Sequence, residues 1–266
     1  MALPRFLAVF AHPDDDAYGV GGTLALERDA IEPHVILTTS GGAGEISDPE
    51  LATTENLTEV REGEERAAVT ALGWPELPVH FLRYPDGGLI DVDRAELVDR
   101  LAELMSEIRP HVVATFGPEG VTKHDDHITT GQATTEAFHR ARAAAQAEGD
   151  EEAFRFLYYN GIPQSGIDQF WQALRDRGVE VGDTEGPFMP RGVPDETIAV
   201  RVDCSSVMQT KLEGIRAHAT QWNEMALMPP ELLERFLSEE TFVRAWPPAE
   251  PGAPVAGSLF DGVRSW

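Results

Sequence analysis

Phe6-Leu7-Ala8-Val9-Phe10-Ala11-His12-Pro13-Asp14-Asp15-Asp16 is an apolar run that ends abruptly in one histidine and three carboxylates. The run Phe6 to Phe10 is short and continuously apolar, the pattern of a strand buried on both faces of a parallel sheet. Gly19, Gly21 and Gly22 follow, and Thr23-Leu24-Ala25-Leu26-Glu27-Arg28 then reads as a helix. The four ionisable groups therefore fall where a strand ends and a helix begins. In open α/β sheets that edge is where ligands bind. Crowding them behind a buried strand costs solvation and like-charge repulsion, and a bound cation would relieve both. The competing reading is a plain polar turn in which an Asp caps the helix.

A second stretch has the same form. His124-Asp125-Asp126-His127 follows the apolar run Val112 to Phe116 and the loop Gly117-Pro118-Glu119-Gly120, and it precedes a helix from Ile128 to about Gln146. Two such clusters on parallel strands can face each other across the carboxyl edge of one sheet. A ligand set drawn from both is His12, Asp15 and His127. Two imidazoles and a carboxylate leave coordination positions open, which is how catalytic zinc is held. Fe(II) accepts the same donors.

The rest of the chain alternates strand and helix signals. Pro33 to Thr39 reads as a strand, Leu57 to Leu72 as a helix closed by Gly73, and Val79 to Leu82 as a strand. Asp93 to Ile108 reads as a helix ended by Pro110. This β-α-β-α order implies a Rossmann-like, three-layer α/β fold with a mostly parallel sheet and right-handed crossovers. From about residue 150 the signals are less regular. Strands are expected at Phe154 to Tyr159, Thr197 to Val202 and Thr241 to Arg244. Helices are expected at Asp168 to Arg177, Val207 to about His218 and Pro229 to Leu237. The length of 266 residues and 42% apolar content suit a single domain over 1–266.

A net charge of −25 repels phosphate backbones and acidic membrane surfaces, which excludes nucleic acid and membranes as expected partners. One cysteine, Cys204, rules out an intramolecular disulfide framework. No apolar run approaches the ~20 residues of a membrane span, and no signal peptide precedes the first strand. The expected location is cytoplasmic, with homo-oligomerisation left open.

The two motifs resemble those of the LmbE-like (PIG-L) N-acetylglucosaminyl deacetylases, which include enzymes of mycothiol and bacillithiol synthesis. The first family signature, A-H-P-D-D-E, is met by Ala11 to Asp16, with Asp16 in place of Glu. The second, H-x-D-H, is met by His124 to His127. Arg61 and Glu64 match an R-x-x-E helix start, Tyr84 to Gly88 a Y-P-D-G-G loop, and His218 to Gln221 a late H-x-T/S-Q. Some thiol-pathway members carry Tyr where this chain has Thr122. The resemblance implies deacetylation of a small amino-sugar substrate.

Hydrolysis of an amide needs a base, a Lewis acid and a donor for the oxyanion. Asp14 is beside a ligand without being needed as one, so it can be the base, the role the resemblance also implies. His124 can stabilise the oxyanion or protonate the leaving amine, with Asp126 orienting it. Arg61 and Asp86 suit sugar hydroxyls. The loop Thr184 to Pro194, with its apolar Phe188 and Met189, is expected to cover the sugar's aglycone. Cleavage of another amide, as in mycothiol-conjugate amidases, is the nearest alternative. A non-catalytic sugar-binding module is another. A dinucleotide-binding protein, cued by Gly19-Val20-Gly21-Gly22, is a third, although Asp14 to Asp16 would repel a pyrophosphate.

Overall fold

The computed structural model describes residues 3–186, 188–222, 228–250 and 252–263. Elements run in the order β1 (Arg5–Phe10), α1 (Asp15–Leu26), β2 (Glu32–Thr39), α2 (Leu57–Ala71), β3 (Val79–Tyr84) and α3 (Arg94–Ile108). There follow β4 (Val112–Phe116), the single turn α4 (Gly120–Lys123), α5 (Asp125–Ala147), β5 (Phe156–Asn160), β6 (Ile162–Pro163), α6 (Gln164–Asp176) and β7 (Gly192–Val193). The chain continues through β8 (Ile198–Asp203), α7 (Met208–Arg216), α8 (Pro230–Ser238) and β9 (Glu239–Trp246). The main sheet has seven strands in the order β3-β2-β1-β4-β5-β9-β8. The first five are parallel, and β9 runs antiparallel between β5 and β8.

The sheet is buried on both faces, as its apolar runs require. Phe6, Ala8 and Phe10 of β1 point into one core with Val20 and Leu24 of α1. Leu7 and Val9 point into the other, where Leu101 and Met105 of α3 and Ala137 and Phe138 of α5 cover them. Because successive strand residues face opposite ways, the run serves both layers at once. The carboxyl ends of β1 and β4 are neighbours, so the segments after Phe10 and Phe116 emerge side by side.

The first helix starts earlier than its glycines imply. It begins at Asp15, so Gly19, Gly21 and Gly22 lie inside it rather than in a preceding loop. They serve close packing: Gly19 lies on the Phe10 ring, and a methyl at Gly22 would overlap Cys204 Sγ. This removes the phosphate-cradling loop that a dinucleotide site needs. Helix α5 likewise starts at Asp125, which puts His127 in its first turn.

A buried ion pair ties the second half to the first. Lys211 of α7, 1% exposed, lies 2.8 Å from Glu240 of β9. The same carboxylate accepts from Gly22 N at 2.7 Å, Thr23 N at 2.9 Å and Thr23 Oγ1 at 2.6 Å. A carboxylate this deep is held by donors on both of its oxygens. No helix among the described residues is long and apolar enough to cross a membrane.

Candidate metal and active site

Three side chains converge at the carboxyl ends of β1 and β4. His12 Nδ1 lies 3.2 Å from His127 Nε2 and 3.2 Å from Asp15 Oδ2, and His127 Nε2 lies 3.4 Å from Asp15 Oδ1. In tetrahedral zinc sites with Zn–N and Zn–O bonds of about 2.0–2.2 Å, neighbouring donor atoms stand about 3.3–3.5 Å apart. The separations of 3.2–3.4 Å are close to that, with one Asp15 oxygen facing each histidine.

Both imidazoles are also held in the tautomer a metal needs. His127 Nδ1 lies 2.9 Å from Gly120 O, so its proton belongs there and the Nε2 lone pair faces inward. His12 Nε2 lies 3.0 Å from Asp86 Oδ1 and 3.3 Å from Asp126 Oδ2, which leaves the Nδ1 lone pair facing inward. Carboxylates and carbonyls on the outer nitrogen are the usual supports of metal-bound histidine.

The electrostatics agree. Burial alone would raise Asp15, but the neighbouring His127 and the bonds from His12 hold it below the usual carboxylate range. Burial pushes His127 down, toward the neutral form that can ligate. Burial lowers His12 as well, but Asp126, Asp15 and Asp86 around it prevail and raise it well above its ordinary value. A divalent ion bound at Nδ1 would compete with a proton there.

Asp14 is placed differently from its neighbour. It is the residue before α1, yet its side chain makes no capping bond, so the plain helix-cap reading fails. Its backbone is at φ 123°, a conformation that non-glycine residues rarely adopt and that costs of order 1–3 kcal/mol. Arg61 holds it. The guanidinium donates from Nη2 to Asp14 Oδ2 at 3.0 Å and to Pro13 O at 2.6 Å, and from Nη1 to Gly41 O at 2.9 Å. Gly41 is at φ +65°, and a Cβ there would overlap the guanidinium. Burial pushes the Asp14 carboxyl up to about 7 against the pull of Arg61.

His124 faces the same space. Its ring centroid is 4.9 Å from that of His12 and 4.9 Å from that of His127. Its Nδ1 accepts from Asp126 N at 3.1 Å and caps α5, which puts any proton of the neutral ring on Nε2. The expected pairing of Asp126 with His124 does not form. The Asp126 carboxylate, fully buried, accepts from Gly87 N at 2.7 Å and Leu89 N at 3.0 Å and supports His12. Asp86 also turns inward: besides His12, it accepts from Ala43 N at 2.7 Å. Arg61, only 4% exposed, spends its Nη donors on the Asp14 turn and Gly41.

Sequence reasoning left Glu64 and the late motif without a role, and the structure pairs them. Thr220 donates to Glu64 from N at 2.8 Å and from Oγ1 at 2.7 Å, and Gln221 Nε2 donates to Glu45 O at 2.9 Å. The motif thus fastens the loop after β2 and the start of α2 from outside. A cavity of about 580 Å³ lies alongside, lined by Tyr18, Val121, Ile167, Phe170 and Phe236 among others; none of the donor triangle lines it.

A family model described as PIG-L, GlcNAc-PI de-N-acetylase, matches residues 7–138. The 1D-myo-inositol 2-acetamido-2-deoxy-alpha-D-glucopyranoside deacetylase of Kineococcus radiotolerans is 33% identical over 253 residues, covering 82% of this chain and 68% of that protein. The chain belongs to the PIG-L (LmbE-like) family. Among solved structures, the PIG-L chain resembles N,N'-diacetylchitobiose deacetylase from Pyrococcus horikoshii, with a TM-score of 0.59, 20% identity, and coverage of 93% of this chain and 84% of that one. The 4-carboxy-2-hydroxymuconate hydratase of Pseudomonas putida is as similar, with a TM-score of 0.59, 19% identity, and coverage of 95% and 100%. The fold alone therefore does not fix the reaction, and the site must be argued on its own.

Proposed function

We propose that this PIG-L member removes the acetyl group from an N-acetylglucosamine derivative, with a divalent ion, zinc by preference, held by His12, Asp15 and His127. The observation that carries the reading is the donor triangle, with its two imidazole tautomers fixed by Gly120 O and by Asp86 and Asp126. The named activity of the Kineococcus relative supplies the substrate class.

When bound, the ion supplies Lewis acidity toward the amide carbonyl and an acidified water. The chain's own groups do the rest. Asp14, raised toward neutrality and oriented by Arg61, takes the proton of the attacking water. His124 presents its Nε2–H to the developing oxyanion, and the proton taken up by Asp14 passes to the departing amine. Asp126 acts through His12, as a positioning residue. Asp86 keeps a fringe of exposure and is the group we assign to a sugar hydroxyl; Arg61 we assign to holding Asp14.

The test is incubation of zinc-loaded protein with a panel of N-acetylated amino sugars, with acetate and free amine both assayed. Equimolar release of the two is expected. Asp14→Asn should keep the metal and lose turnover, whereas the His12→Ala/His127→Ala double variant should lose the metal. Release from no sugar, or normal metal retention by the double variant, would reject the reading.

A further inference from the structure

Four aromatic rings form a column from the core to the surface. Phe116, 2% exposed, stacks on His127 at 4.1 Å between centroids and 7° between planes. His127 stacks on His124 at 4.9 Å and 24°. His124 meets Phe188 at 5.4 Å and 57°. The outermost ring, Phe188, is 66% exposed.

Phe188 is unfavourable twice over. Its backbone sits at φ 62°, the left-handed region where a bulky residue is strained, and its apolar ring is left in water. Strain kept at an exposed position calls for a partner that repays it. The loop is nevertheless not loose. Arg191, 9% exposed, donates to Thr184 O at 2.9 Å, to Gly186 O at 2.9 Å and to Glu185 O, and pairs with Glu185 Oε2 at 2.7 Å. Arg191 N donates to Val121 O at 2.6 Å, just ahead of His124. Strand β7 then pairs with β6. One buried guanidinium thus gathers the carbonyls of residues 184–186 and fixes the loop to the segment that carries His124; Pro187 lies outside the described residues.

We infer that Phe188 is the platform for an aromatic or other apolar, uncharged aglycone on the amino sugar, and that Arg191 is the residue that positions it. The inference rests on the deacetylase reading above and names the substrate class within it. The neighbouring Met189 is 36% exposed as well. A net charge of −25, with Asp183 and Glu185 flanking the platform, disfavours a phosphorylated or carboxylated aglycone. A ring laid on Phe188 would bury both faces and gain the aromatic contact besides.

The experiment compares phenyl and methyl β-glycosides. Calorimetric Kd values of the two glucosaminides, and kcat/KM of the two N-acetylated forms, are measured on zinc-loaded protein. The unmodified chain should prefer the phenyl glycoside by about tenfold in both readouts. Phe188→Ala and Arg191→Ala should each shrink that preference to about twofold, and Phe188→Trp should restore it; Tm and metal content report whether a variant is folded. Deacetylation of both glycosides with no preference, equal losses on both in Phe188→Ala, or tighter binding of glucosamine 1-phosphate than of the phenyl glycoside overturns this inference alone. No binding and no deacetylation of either glycoside overturns the deacetylase reading and this inference together.

Discussion

The Asp126 carboxylate lies 3.3 Å from His12 Nε2 and is pinned there by the backbone N–H groups of Gly87 and Leu89. In the proposed site it acts through His12 rather than as one of the three donors. Asp126→Asn keeps the size and removes the charge that favours a proton on Nε2. Removing such supports elsewhere weakens metal binding about 10- to 100-fold. A loss of that size is expected for zinc in competition with a chelator, with the fold intact. Unchanged affinity would mean that Asp86, at 3.0 Å, suffices alone.

Arg61→Lys tests the base. A guanidinium reaches Asp14, Pro13 O and Gly41 O together because its nitrogens are spread in a rigid fork. An ammonium is a single point and cannot span all three. Turnover should fall by about 100-fold, a scale reached when catalytic groups move by about an ångström. Zinc content should hold, because none of the three donors is touched. Retained turnover would return Arg61 to a role in binding sugar.

What was legible in the sequence was what is encoded locally. The β1 run and the two polar clusters at strand ends pointed to the sheet edge where His12, Asp15 and His127 meet, because apolar runs mark buried strands and their ends mark that edge. Strand β9 had its residues read but not its place: nothing in Thr241 to Arg244 says that it inserts antiparallel between β5 and β8. Asp126 was assigned to His124 because they are neighbours in sequence. At a helix start, two residues are separated by about 200° around the axis, so the two side chains leave on opposite sides. The α1 glycines read as breakers because a single sequence does not show the Cys204 and Phe10 side chains that press against them.

Gly22→Ala sets two effects against each other. Helix propensity alone would stabilise α1 by about 1 kcal/mol. A methyl at Gly22, however, would overlap Cys204 Sγ, and Glu240 Oε1 stands 3.0 Å away. Overpacking a closed core costs about 1–3 kcal/mol, so net destabilisation is expected in urea unfolding. Cys204→Ala should recover part of that loss when combined with it, a coupling that double-variant cycles measure. Strictly additive effects would show that the helix shifts instead.

Beneath the Asp14 turn, His218 Nε2 lies 3.8 Å from Glu65 Oε2, with both side chains almost wholly buried. Burial drives His218 from 6.5 down to about 3, and Arg61 pushes the same way while Asp15 opposes it. Burial also raises Glu65 well above 4.5, and Asp16 beside it adds to the rise. Near pH 5.5, the folded protein thus holds the proton on Glu65 and the unfolded chain holds it on His218, so the pair hides its own pH dependence. Glu65→Gln leaves His218, whose folded value is depressed; its contribution is complete above about 6.5 and is lost as pH falls toward 3. His218→Gln leaves Glu65, whose folded value is raised; its contribution is complete below 4.5 and is lost as pH rises. Relative to the unmodified protein, the slope of stability against pH between about 5 and 6 should turn positive in Glu65→Gln and negative in His218→Gln, each by up to about 1.4 kcal/mol per pH unit. Asp16, raised by burial to about 6, interacts directly with Glu65, so all three proteins are compared in an Asp16→Asn background. Parallel slopes in urea unfolding would show that the two groups are not protonated in this way in the folded state.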